Sequence, residues 1–178
     1  GHGIQALVLC PTRELAKQVA GEFEKFSKLA TLTVYGGVGY EPQLEALEAG
    51  VDIVVGTPGR LIDLANKRAL DLSHVHALVL DEADEMLDLG FKDELEKIVS
   101  ITPATRQTLM FSATLPKPIA ALATRHQRDP LRIALASENE PHGDITYYAM
   151  PCALHDREHA IVNVLRWFDV REIGRAHV

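Results

Sequence analysis

The chain has 178 residues, 47% of them hydrophobic and 24% charged, with a formal net charge of −7. That length suits one domain, or one domain with a piece of another. The composition excludes a disordered tail, and the charge excludes a surface built throughout to grip nucleic acid, though not a local site of a few basic groups and backbone amides.

No apolar run is long enough to span a bilayer, and the opening "GHGIQALVLC" lacks the basic start of a signal peptide. The chain starts without Met, so it is expected to be a piece of something longer. Cys10 and Cys152 do not suggest a disulfide framework. A reducing, cytoplasmic setting, no membrane and a monomer are therefore expected.

In chain order, short β-rich runs alternate with helical ones. "ALVLC" (Ala6–Cys10) reads as a buried strand. "RELAKQVAGEFEKFSKL" follows as an amphipathic helix, with Leu15, Val19, Phe23 and Phe26 at helical spacing. "TLTVYGG" is a second strand closed by glycines. "EPQLEALEAG" is a short helix with Pro42 near its start and Gly50 just past its end. "VDIVVGTPGR" is a third strand and turn, and "LIDLANKRAL" is helical. "HALVLDEAD" is the fourth strand and "DELEKIVSIT" the next helix. "QTLMFSATLP" is a fifth strand, "KPIAALATRHQ" a helix and "LRIAL" a sixth strand. Residues 138–144 are polar and read as a linker. "ITYYAMPC" then reads as a new strand and "DREHAIVNVLRWF" as a new helix.

Strands apolar throughout and separated by helices indicate an α/β fold, a parallel sheet covered by helices on both faces. In such sheets ligands sit at the carboxyl ends of the strands. Here those ends carry "PTRE", "YGG", "GTPGR", "DEAD" and "SAT", which points to one functional face. An apolar strand ending in Asp-Glu delivers Asp81 to a rigid position, where it can hold Mg²⁺ through water. Glu82 can orient or deprotonate an attacking water. Alone this is a modest signal, because apolar strands often end in acidic residues by chance.

"PTRELAKQ" (Pro11–Gln18), Gly36–Gly37, "TPGR" (Thr57–Arg60), "DEAD" (Asp81–Asp84) and "SAT" (Ser112–Thr114) occur in that order, each after a strand. The set resembles the first RecA-like domain of the DEAD-box ATP-dependent RNA helicases, over roughly Ala6 to Phe168. The resemblance implies a RecA-like sheet of P-loop NTPase type, with ATP and Mg²⁺ as cofactors and RNA as partner. It makes Asp81 and Glu82 the catalytic and ATP/Mg²⁺-binding pair, with Asp81 the metal-side residue. Asp84 is implied to accept hydrogen bonds from Ser112 and Thr114, coupling hydrolysis to strand separation. Thr12, Arg13, Gly36, Gly37, Thr57, Gly59 and Arg60 are implied to meet the RNA sugar-phosphate backbone, without reading sequence. The Arg13 fork suits a phosphate, and glycine amides permit close approach. Arg60 is either a phosphate contact or a structural partner of the carboxylates. Glu85 and Asp88 read as a solvated helix start, with Met86 and Leu87 its apolar face.

The sequence departs from the family pattern in carrying no G-x-x-x-x-G-K-[ST] loop. The expected sheet therefore lacks the N-terminal P-loop strand, with a gap or exposed edge where it would lie, and the 178-residue chain alone is expected not to hydrolyse ATP. The expected layout is residues 1–137 as a partial first RecA-like domain and 138–144 as linker. Residues 145–171 would start a second RecA-like domain, and 172–178 would be a non-native tail, translated from an adapter. Alternatives are a non-catalytic RNA-binding or interaction module on the same scaffold, and a DNA helicase or translocase. A third is a zinc hydrolase, since "HDREH" (His155–His159) matches H-x-x-E-H. Five-residue matches arise readily by chance and no third ligand accompanies this one, so the bland reading is preferred.

Overall fold

A computed structural model describes residues 3–114, 117–126, 130–133 and 150–168. The chain divides into two compact units, Gly1–Ile133 and Ala134–Val178. The expected linker at 138–144 and the tail at 172–178 lie outside the described residues, as does most of the strand expected in "ITYYAMPC".

The first unit alternates strands β1 (Ala6–Leu9), β2 (Thr31–Val34), β3 (Ile53–Gly56), β4 (Ala77–Leu80) and β5 (Gln107–Met110) with helices. The helices are α1 (Arg13–Phe26), α2 (Glu41–Ala49), α3 (Pro58–Asn66), α4 (Ala83–Asp88), α5 (Lys92–Ile101) and α6 (Lys117–His126). Every strand pair is parallel, in the order β2-β3-β1-β4-β5. This is the expected RecA-like sheet.

Alternation along β1 shows why the strands are apolar throughout. Leu7 and Leu9 face a core with Leu61 and Leu64 of α3, Met86 of α4, Leu95 and Ile98 of α5, and Ile119 of α6. Val8 and Cys10 face the other way, onto Ala16 and Ala20 of α1. Each buried leucine contributes about 1.5–3 kcal/mol. Alanines let α1 sit close to β1 and β3. The expected stripe differs in one member: Leu15, Val19 and Phe23 are half-buried, but Phe26 is 86% exposed, because α1 ends there and the chain turns away.

Helices cover both faces, but unevenly. α1 packs over β2 and β3, while α3 to α6 fill the opposite core. The sheet pairs without a gap among the described residues, with β2 and β5 as its two edges, and β5 is the more exposed near its end. There Leu109 is 39% and Phe111 55% exposed.

The sixth strand expected at Leu131–Leu135 is not formed over its described part. Leu131–Ile133 are irregular, with Leu131 85% and Ile133 76% exposed. α3 also starts earlier than expected, at Pro58, because proline's fixed φ suits a first helical position. In the second unit a 3-10 turn at Leu154–Asp156 precedes α7 (Arg157–Trp167), which has no buried residue. Among the described residues no helix is long and apolar enough to cross a membrane.

Candidate functional site

The register brings the five strand ends level. Leu9 pairs with both Gly56 and Leu80, Val34 with Gly56, and Leu80 with Met110. The segments that follow therefore share one edge. Across it they run from the Gly36–Gly37 loop after β2, through Thr57–Arg60 after β3 and Thr12–Arg13 after β1, to Asp81–Asp84 after β4 and Ser112–Thr114 after β5. Neighbouring strands lie about 4.8 Å apart, so the edge spans about 19 Å.

Asp81 leaves the sheet with its amide donating to the Leu9 carbonyl at 2.9 Å, and its carboxylate accepts the Glu82 amide at 3.1 Å. Glu82 then turns the chain into α4 with φ 49° and ψ 53°. A side chain in this left-handed region costs about 1–2 kcal/mol. The position is held by the next amide, since Ala83 donates to the Phe111 carbonyl at 3.0 Å and is fully buried. The exposed Glu82 carboxylate is thus presented beside the half-buried Asp81. Hard Mg²⁺ is typically held by one or two carboxylates, with water and phosphate completing its shell, and this pair fits that demand. Buried Cys10 feels the same negative region: burial, then the Asp81 and Glu82 charges, push its thiol up to about 12.

Asp84 opens α4 and reaches across to the end of β5. One of its oxygens accepts both the amide and the hydroxyl of Thr114, each at 2.9 Å. Ser112 stands one step back, its hydroxyl donating to the Thr114 carbonyl at 2.7 Å. Partial burial raises the Asp84 carboxyl. Bonds from the Thr114 hydroxyl and amide, the closeness of the Ser112 hydroxyl and the bond from the Glu85 amide outweigh that and hold it below the ordinary range, while Ser112 does not donate to Asp84 as expected. Met86 is buried and Leu87 half-buried, while Glu85 and Asp88 are exposed.

On the other side of the edge, Thr12 is exposed and caps α1, its hydroxyl accepting the Leu15 amide at 3.2 Å. Arg13 donates from Nε to Glu14 at 3.1 Å, an exposed pair that is cheap to break. Gly36 and Gly37 are exposed with open space where a Cβ would stand, and Gly37 has φ 80°. Thr57 precedes α3 in extended conformation, and Gly59 is exposed at the first turn with open space beside it. Arg60 is engaged within the protein. Its Nη2 donates to the Val38 carbonyl at 2.8 Å and its guanidinium lies 4.2 Å from the Tyr40 ring centroid. It has no bond to the carboxylates of β4.

Sequence reasoning missed six residues here. Tyr35 carries Lys17 at 5.1 Å and Arg13 at 6.0 Å from its ring centroid. Tyr40 donates to Asp63, which also pairs with Lys67 at 3.3 Å. The spacing of Arg60, Asp63 and Lys67 on one helix face was visible; their tyrosine partner was not. Gly56 ends β3 where a Cβ would stand 2.4 Å from the Val34 carbonyl oxygen. Among the described residues no group of three His, Cys, Asp or Glu is arranged to hold a metal.

Comparison with known proteins agrees with this layout. The family model of the DEAD/DEAH box helicase matches residues 1–122. The chain is 49% identical over 154 residues to the DEAD-box ATP-dependent RNA helicase 3B, chloroplastic, of Zea mays, covering 85% of this chain and 21% of that protein. It is 51% identical over 130 residues to the DEAD-box ATP-dependent RNA helicase CshA of Geobacillus kaustophilus, covering 71% of this chain and 28% of that protein. A DEAD box protein crystal structure from the hyperthermophile Methanococcus jannaschii superposes with a TM-score of 0.69 at 45% identity, covering 71% of this chain and 36% of that one. The chain thus spans about a fifth to a third of the length of these relatives. With five motifs on one sheet edge and these likenesses, the chain belongs to the DEAD/DEAH box helicase family.

Proposed function

We propose that this chain is the RNA-facing and hydrolysis-facing part of an ATP-dependent RNA helicase. The observation that carries the reading is the Asp84–Thr114 link beside Asp81 and Glu82. It ties the carboxylate end of β4 to the end of β5, on the edge that also bears the glycine-rich loops. Asp81 and Glu82 would hold Mg²⁺ through water, which when bound neutralises phosphate charge, and Glu82 would orient the attacking water. Thr12, Arg13, Gly36, Gly37, Thr57 and Gly59 would offer hydroxyl, guanidinium and amide groups to the RNA sugar-phosphate backbone. Asp84, with Thr114 and Ser112, would transmit changes at the carboxylates to the rest of the edge. Two free cysteines support a reducing, cytoplasmic setting. We take the protein to act as a monomer.

The test has two parts. An unstructured RNA of mixed composition is titrated against the protein beside DNA of the same sequence. Tighter RNA binding, indifferent to sequence and weakened by salt, supports the reading. Equal or tighter DNA binding sinks it in favour of a DNA translocase. ATP hydrolysis is then followed in the longer gene product containing this chain: RNA-stimulated turnover abolished by Glu82→Gln supports an enzyme, and RNA binding without turnover supports a binding module.

A further inference from the structure

The loop of residues 35–40 carries the exposed glycine amides, and glycines make such loops floppy. Here the loop is tied at three points. At its entry the Gln43 side-chain amide of α2 donates to the Tyr35 carbonyl at 3.2 Å. In its middle Arg60 donates to the Val38 carbonyl at 2.8 Å. At its exit the Tyr40 hydroxyl donates to Asp63. Lys67 closes the group, with Nζ 3.6 Å from the Tyr40 ring centroid and 3.3 Å from Asp63 Oδ2. Arg60, Asp63 and Lys67 occupy successive turns of one face of α3 and the residue just beyond it, so a single helix face meets one aromatic ring.

The Arg60 guanidinium is engaged by the loop itself. Nη2 is bonded to Val38, the flat face rests on Tyr40, and Nη1 is buried without a hydrogen-bond partner. The Val38 bond and the Tyr40 ring contact give this guanidinium a part in holding the loop.

We propose that Tyr40, Asp63, Lys67 and Arg60 form a bracket that fixes the glycine loop against α3, and that this bracket sets RNA affinity by holding the Gly36 and Gly37 amides in a binding-competent pose. They are positioning residues, since none need touch RNA. The inference rests on the RNA-binding reading above. Its physical basis is that apparent affinity scales with the fraction of molecules already in the competent conformation.

The test uses three variants of the protein. Tyr40→Leu removes both the hydroxyl and the ring. Tyr40→Phe keeps the ring for Arg60 and Lys67 but loses the bond to Asp63. Lys67→Met removes one cation. Affinity for an unstructured RNA is measured across a salt series, with backbone order parameters for residues 36–39 and the melting temperature. Tyr40→Leu is expected to weaken binding about tenfold, and Tyr40→Phe about threefold, with lowered order parameters in the loop. Because no phosphate-contacting cation is lost, Lys67→Met should weaken binding while leaving the salt slope unchanged. A slope reduced by about 0.7 would mean that Lys67 meets a phosphate directly, and would overturn the positioning role. Unchanged affinity in Tyr40→Leu, with wild type binding RNA, overturns the inference alone. Absence of RNA binding by wild type overturns the functional reading and this inference with it, while the order parameters still report whether the bracket orders the loop.

Discussion

Thr114 offers two donors, its amide and its hydroxyl, to a single oxygen of Asp84, each at 2.9 Å across the end of the sheet. Thr114→Val keeps the shape and removes one donor. The site is largely exposed, so the expected loss is about 1 kcal/mol or less. The pH dependence follows from the lowered Asp84 value. A depressed folded-state carboxyl stabilises above its unfolded value of about 3.9, and that contribution is lost as pH falls through the folded value. Urea midpoints of wild type and Thr114→Val should therefore differ by a constant amount from about pH 5 to 8 and converge below about pH 4. A difference that persists undiminished in acid would refute the link.

Glu82 sits at φ 49° with its side chain exposed. Glu82→Gly relieves the left-handed strain but frees the unfolded chain, for a net gain of about 0.5–1 kcal/mol. Glu82→Ala keeps its Cβ and the strain, so it should gain nothing. Chemical denaturation of the pair checks this; equal stability in the two variants would show that the strain is not there.

Gly56 and Gly59, three residues apart, should respond in opposite ways. A Cβ on Gly56 meets the Val34 carbonyl oxygen at 2.4 Å, which is backbone and cannot step aside without parting β2 from β3. Gly56→Ala is expected to cost about 1–3 kcal/mol or more. Gly59 has open space and lies in the first turn of α3, so Gly59→Ala should be neutral or stabilise by up to about 1 kcal/mol. If its bare backbone serves RNA, Gly59→Ala should bind RNA more weakly despite being as stable. Thermal melts and RNA titrations separate the two effects.

Cys10 should be inert. Burial and the neighbouring Asp81 and Glu82 charges push its thiol up to about 12, while Cys152 is exposed. A thiol reagent at pH 8 is expected to modify one cysteine per native chain, and the second only after denaturation. Two thiols reacting at the same native rate would contradict the burial of β1's end.

Much of the fold was legible because its elements obey local rules. Apolar runs such as Ala6–Leu9 and Ile53–Gly56 read as doubly covered strands, and both are. The glycine after α2 closes it with φ 94°. Where local pattern misled, tertiary partners were the reason. Leu131–Ile133 has strand composition but pairs with no strand among the described residues, and Phe26 keeps helical spacing past the point where α1 has anything to cover. Arg60 could be read as phosphate ligand or carboxylate partner. Its contacts with Val38 and Tyr40 were not legible, because both come from a loop some twenty residues away.

The sequence by itself determined which chemistry stands at which strand end: acid pair at β4, hydroxyls at β5, glycines and an arginine elsewhere. Strand ends are local features, set by where apolar runs stop. Only the tertiary structure decided their arrangement. In the chain Thr12–Arg13 comes first, before Gly36–Gly37 and Thr57–Arg60; across the sheet it lies between Arg60 and Asp81, because β1 pairs with both β3 and β4. The proposed RNA-facing segments thereby become neighbours on one side, and the carboxylates with their Thr114 partner occupy the other. Strand order follows from how long crossovers pack helices onto two faces, a non-local matter that no short stretch of residues encodes.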